Sequence, residues 1–123
     1  MSYSISLSED GKYLICRVSG EITMDIAREF TVELDRLSRS LKIKRFLSDV
    51  RHAPNALSTF ENYDFAYKVM PELNLQRDVR AAILAAPADK THEFVETVAV
   101  NAGYGVRVFY DEDAAIVWLV EQT

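Results

Sequence analysis

The chain has 123 residues, a formal net charge of −5 and one cysteine, Cys16, a length that predicts a single domain over 1–123 burying about two thirds of its unfolded surface. The acidic balance argues against nucleic acid as a partner, and a lone cysteine excludes an internal disulfide and points to a reducing, cytoplasmic setting. No leader pattern opens the chain, and no apolar run approaches the ~18 residues of a transmembrane segment.

"YSISLSEDGKYLICRVSG" reads as a hairpin. Asp10-Gly11 suits a two-residue type I′ turn, since both residues tolerate positive φ. That turn sets Leu7 opposite Leu14, Ile5 opposite Cys16 and Tyr3 opposite Val18, with all six on one face. Ser4, Ser6, Ser8, Tyr13 and Arg17 fall on the other face, with Ile15 as its apolar exception. Turn chemistry and apolar alternation thus agree on one register. Thr23 is placed as an N-cap, with Asp25 near the positive end of the helix dipole. Ile26, Phe30, Leu34, Leu37 and Leu41 then form one helical stripe. "IKRFLSDV" reads as a strand. Ser58 with Glu61 fits a capping box that opens a second helix, which Pro71 ends or kinks. "VRAAILAA" is another buried strand, stopped by Pro87. A third helix is predicted over about 90–102, with Phe94, Val95, Val98 and Ala99 inward. Gly103 and Gly105 stop it. "VRVFY" is the last strand, and Asp111 caps a final helix carrying Ala115, Trp118 and Leu119.

The element order predicts an α/β fold with a mostly parallel sheet whose first strand is antiparallel. If the strands lie in sequence order, right-handed crossovers place every helix on one face and leave the other uncovered. Arg17, Arg80 and Arg107 point together on that uncovered face, beside Ile15, Leu84 and Phe109. Such a face is either solvated or a dimer or docking surface for an acidic partner.

Three stretches, "VSGEITMD", "FLSDVR" and "VRVFYDEDAAIVWL", make the chain resemble the SpoIIAA-like group of the STAS superfamily over nearly its whole length. The resemblance implies a five-stranded mixed sheet with helices stacked as a β/α superhelix. It also implies non-catalytic work: partner regulation in the anti-anti-sigma members, and suspected lipid-like ligands in the SpoIIAA-like members. Anti-anti-sigma members carry Asp-Ser-Ser-Gly at the start of the second helix, with the switch serine inside it. Here that stretch reads Leu57-Ser58-Thr59-Phe60. Without the Asp and the Gly, Ser58 reads as a helix cap.

Parallel sheets bind ligands beyond the carboxyl ends of their strands. Two loops gather there and offer Asp49, Arg51, His52, Asp89, Lys90 and His92. Two imidazoles and a carboxylate can hold a divalent ion if they converge, yet no metal-ligand spacing occurs and solvated loop polarity is the competing reading. Cys16 faces inward as packing, and no nucleophile elbow or phosphate-binding loop is present. "NAGYGV" ends a helix and precedes a strand, the reverse of a phosphate cradle. The second helix says more. Its polar sector holds only Glu61, Asp64 and Lys68, so its apolar arc exceeds the stripe a docked helix needs.

These readings predict a non-catalytic binding or regulatory module that needs no cofactor. A lipid-like ligand such as an acyl chain would lie under the second helix, lined by Phe60, Tyr63, Tyr67 and Met70. Asp49, Arg51, His52 and Lys90 would stand at its mouth, with Arg51, His52 or Lys90 meeting an anionic head group. The alternative is an interaction module of the anti-sigma-factor-antagonist type, docking a regulatory protein through the same helix. A metal-dependent enzyme using His52 and His92 comes third. A homodimer and peripheral membrane contact through Tyr63 and Tyr67 are further partner expectations.

Overall fold

In the computed structural model, which describes residues 2–121, five strands follow sequence order across one sheet. β1 (Ser2–Leu7) pairs antiparallel with β2 (Leu14–Ser19). β3 (Arg45–His52), β4 (Arg80–Leu84) and β5 (Gly105–Phe109) continue in parallel, giving the mixed α/β sheet expected. Tyr3 lies opposite Val18, Ile5 opposite Cys16 and Leu7 opposite Leu14, the register expected; Leu14, Cys16 and Val18 are buried, Tyr3 and Ile5 half-buried, and Leu7, beside the turn, is exposed. The turn itself is wider than two residues. Gly11 N–H donates to the Ser8 carbonyl at 3.0 Å and Ser8 N–H to the Tyr13 carbonyl at 2.9 Å. The Ser8 hydroxyl is the reason: it accepts from the Lys12 and Tyr13 amides at 3.1 and 3.2 Å and donates to Asp10. A buried hydroxyl that satisfies two amides outcompetes the tighter turn, while Gly11 still supplies a positive φ of 72°.

Right-handed crossovers stack three helical segments on one face. They are α1 (Met24–Leu41), a second helix, and α4 (Glu93–Asn101). The second helix runs unbroken as α2 (Thr59–Asp64), a π-helical turn (Phe65–Val69) and α3 (Met70–Glu72). Its start is the capping box expected, with Ser58 N–H on Glu61 Oε1 at 2.9 Å and Glu61 N–H on Ser58 Oγ at 3.1 Å. Pro71 does not stop it at once. Proline lacks an N–H and its ring crowds the carbonyl four residues back. The widened turn immediately before Pro71 absorbs that misfit, and the helix ends one residue later. In α4, Val98 and Ala99 are buried as expected, but Phe94 turns outward to meet Tyr63 edge-on at 5.5 Å between ring centroids.

The opposite face is covered, contrary to the expectation of a bare face. α5 (Glu112–Val120) follows the last strand, so no return crossover constrains it, and it folds back across β3, β4 and β5. Ala115 and Leu119 seat on Leu47, Ala82 and Leu84, flanked by Phe109 and Trp118. The arginines do not act as one patch. Arg80 runs under the end of α5, where Nη1 donates to the Trp118 and Glu121 carbonyls at 2.7 and 3.1 Å. Arg45, its neighbour in register, does the same for Leu119 and Glu121 at 2.7 and 3.1 Å. Two cations thus satisfy the last carbonyls of a helix and oppose the negative end of its dipole. Arg17 and Arg107 stay exposed. Replacing both clamps, Arg45→Ala with Arg80→Ala, is expected to lower stability in urea unfolding by about 2–4 kcal/mol. Hydrogen exchange should rise first in α5.

Candidate functional site

Between the sheet and the three stacked helical segments lies an elongated apolar cavity of about 180 Å³. Its floor is the inward row of the parallel strands, including Phe46, Ser48 and Val50 of β3 and Ala81 and Ile83 of β4. Its roof is Phe30 and Leu34 of α1, Phe65, Ala66 and Met70 of the second helix, and Val95 and Ala99 of α4. The void follows from side-chain size. Five of the six surrounding elements place an alanine or glycine on the wall: Ala27, Ala66, Ala81, Ala99 and Gly105. Rigid strands and helices cannot close the space those residues leave. At Gly105 the reason is steric, since a Cβ there would stand 2.6 Å from the Val79 carbonyl oxygen. The wall runs from Asn55 and His92, beyond the carboxyl ends of β3 and β4, to Gln76 and Tyr104 at the opposite ends of the strands. Among the described residues no Lys or Arg lines it. Asp35 is the one carboxylate on the wall among the described residues, held by Arg39 at 2.8 Å and the Gln76 backbone amide at 3.2 Å.

A polar clasp fixes the end nearest the strand termini. Asn62 is buried in the middle of the second helix's inward stripe. Its Nδ2 donates to the Ser58 carbonyl at 3.0 Å, and its Oδ1 accepts from Asn55 Nδ2 at 3.1 Å. Asn55 N–H in turn donates to Thr91 Oγ1 at 2.9 Å, joining the loop after β3 to the loop after β4. His92 closes the clasp from below. It is 3 % exposed, and its Nε2 donates to the Ala53 carbonyl at 2.9 Å. Burial pushes the imidazole's pKa down, outweighing the Ala53 carbonyl and the Asp89 carboxylate at 3.6 Å.

Of the residues expected to line a ligand, Met70 is on the cavity wall. Phe60, Tyr63 and Tyr67 lie on the far side of the same helix, 74 %, 48 % and 51 % exposed. There Tyr63 stacks on Tyr67 at 6.2 Å and meets Phe94, so they form an external aromatic ridge. Asp49 and Arg51 pair with each other instead of facing the cavity. Arg51 Nε and Nη2 reach the two carboxylate oxygens at 2.9 and 2.8 Å, and the guanidinium holds the Asp49 carboxyl below the usual carboxylate range. Asp49 and His52 line a separate, shallow polar cleft with Arg17 and Tyr3. Lys90 is engaged outside the cavity, its Nζ 4.0 Å over the Tyr110 ring and 3.8 Å from Glu93. His52 and His92 therefore belong to different places, and among the described residues no three His, Cys, Asp or Glu side chains gather within metal-binding reach. Cys16 is fully buried, and burial pushes its thiol up to about 12. Among the described residues no helix is long and apolar enough to cross a membrane. Sequence reasoning passed over Ser48 and Tyr104 and, though it placed Ala99 inward, did not read the alanines of four different elements as the trace of a void.

No protein-family model matches the sequence, and no curated protein matches it. Solved structures give the likeness. A protein of the DUF3478 family with a SpoIIAA-like fold, from Shewanella loihica PV-4, aligns over 96 % of this chain and 92 % of its own at 22 % identity, with a TM-score of 0.59. An antisigma-factor antagonist STAS domain from Rhodobacter sphaeroides aligns over 87 % of this chain and 83 % of its own at 17 % identity, with a TM-score of 0.36. The first likeness shows that the fold is SpoIIAA-like, as the resemblance implied.

Two outcomes follow from the clasp. Asn62→Ala removes the bond to the Asn55 side chain and the side-chain bonds to the Leu57 and Ser58 carbonyls, and should cost about 1–3 kcal/mol in urea unfolding. Because the folded protein disfavours protonated His92, the unfolded chain takes up that proton first. Stability is then complete above the free imidazole value of about 6.5 and declines as pH falls below it, by at most about 1.4 kcal/mol per pH unit. Unfolding curves at pH 7 and pH 5 should show this decline, and His92→Gln should flatten it.

Proposed function

We propose that the chain is a non-catalytic binding module that admits a small lipophilic ligand to the cavity between the sheet, α1, the second helix and α4. The observation that carries this reading is the cavity itself, walled by apolar side chains from every surrounding element. Apolar pockets with a few polar groups are the usual form of small-molecule sites. The chemistry of the wall supports recognition and offers little for a reaction. Its one carboxylate is already paired, and its one imidazole is spent on a backbone carbonyl. Adding bulk tests it directly. Ala81→Leu projects new atoms into the void and should abolish uptake of small apolar probes while keeping or raising the melting temperature. Phe60→Ala, on the outer side, should leave uptake unchanged. Equal uptake by wild type and Ala81→Leu would falsify the reading.

A second reading is favoured by the aromatic ridge of Phe60, Tyr63, Tyr67 and Phe94, which the fold leaves uncovered. Aromatic clusters of this kind suit contact with a regulatory protein partner. Tyr63→Ser combined with Tyr67→Ser should then lose such a partner in pull-down while ligand uptake persists. Recovery of the same partner by that double variant would sink this reading.

A further inference from the structure

We propose that the cavity selects a slender, neutral amphiphile of medium chain length, such as an alcohol, amide or ketone, whose single polar group is held by Tyr104 Oη. This rests on the binding-module reading and states what that module recognises. Tyr104 lies on the cavity wall and is 4 % exposed, and its buried hydroxyl has no hydrogen-bond partner among the described residues. A buried hydroxyl in apolar surroundings is costly until something satisfies it. The ring is held in place, with the Arg77 guanidinium 4.4 Å from its centroid on the outside and Arg77 itself tied to the Ala102 carbonyl. The inferred ligand supplies that partner from the cavity whose wall includes Tyr104.

Charge decides against an anionic ligand. The wall carries no Lys or Arg among the described residues, and its ionisable groups are Asp35 and His92. Asp35 is negative and paired with Arg39, and burial keeps His92 neutral. A carboxylate or phosphate inside would be desolvated with no cation on the wall, since Arg77 lies behind the Tyr104 ring and is bound to the Ala102 carbonyl. Shape decides for a chain. The wall extends along the whole of β4, about 13 Å at the rise of an extended strand. The volume of about 180 Å³ is close to that of an engineered cavity of roughly 150 Å³ that admits one benzene. A two-chain lipid does not fit, and one short chain does.

The test is a titration of the full chain with hexanol, hexanoate and hexane, followed by amide chemical shifts, for wild type, Tyr104→Phe and Ser48→Ala. Ser48 is the control because it is, with Thr31, one of two further hydroxyls on the wall without a hydrogen bond among the described residues, and it lies on the cavity floor. Hexanol should bind at least about tenfold more tightly than hexanoate. Tyr104→Phe should weaken hexanol about five- to tenfold, leave hexane unchanged and not lower the melting temperature, since it deletes a hydroxyl that bonds nothing. Hexanoate binding as well as hexanol overturns the neutral-ligand inference. Hexanol binding that survives Tyr104→Phe, or is lost with Ser48→Ala instead, overturns the assignment of Tyr104. If none of the three probes binds, the cavity reading falls and this inference with it. Binding of hexanol and hexane with no Tyr104 effect removes only the inference.

Discussion

The rotation of the second helix about its own axis is the constraint from which the site follows, and Asn62 sets it. A buried amide must find partners; the Ser58 carbonyl belongs to the helix's own first turn, and Asn62 reaches the Asn55 side chain by facing inward. With Asn62 facing inward, Phe65, Ala66 and Val69 are carried in with it. Phe60, Tyr63 and Tyr67 are carried out. The helix thus has two apolar surfaces separated by its own backbone, one facing the cavity and one facing outward. Turned toward its aromatic side instead, the helix would have filled the cavity with rings and parted Asn62 from Asn55. One polar residue in an apolar arc therefore sets which apolar side of the helix roofs the cavity.

How far the sequence could reveal this depends on the range of each interaction. The hairpin register, the Ser58 capping box and the Asp111 cap were legible because their partners lie within a few residues. The width of the second helix's apolar arc was legible too, because it is a property of one element. Its direction was not. Asn62 reads on a helical wheel as an interruption, and its role depends on Asn55 and, through Asn55, on Thr91, which lies 36 residues from Asn55. A uniform helical wheel also ignores the π-turn that Pro71 calls for. The same limit applies to Arg51. Its charge suggested a head-group contact, but the carboxylate two positions earlier on the same strand face takes both ends of its guanidinium.

The two faces of the sheet follow different rules. Crossover handedness dictates where α1, the second helix and α4 must go, and the sequence order of the strands made that side predictable. No such rule binds a helix after the last strand. α5 covers the other face because its residues are apolar almost all round and because Arg45 and Arg80 wait under its carboxyl end. The result is a sheet sandwiched on both sides, which holds the cavity floor rigid. A floor that could flex would let the roof settle and the cavity close.

That rigidity bears on why the void persists. Emptied protein cores lose about 24 cal/mol per Å³ of residual cavity, so a cavity of about 180 Å³ corresponds to about 4 kcal/mol of packing forgone. Domains of this kind are stable by only about 5–15 kcal/mol in total. Ala66, Ala81 and Ala99 are each one substitution from a larger apolar residue that would recover part of that energy. The second helix cannot recover it by moving inward, because it is fastened at both ends. Asn62 holds its start to the loops beyond β3 and β4, and the chain just past its end is held to α1 by the Gln76 amide on Asp35 and the Gln76 side chain on Ser38. A structure pinned at both ends of the roof and braced under the floor keeps its gap open at a cost in stability. Under the binding reading proposed above, the same bracing would lower the cost of binding, because an entering ligand need not reorganise the wall and would contribute the missing contacts directly.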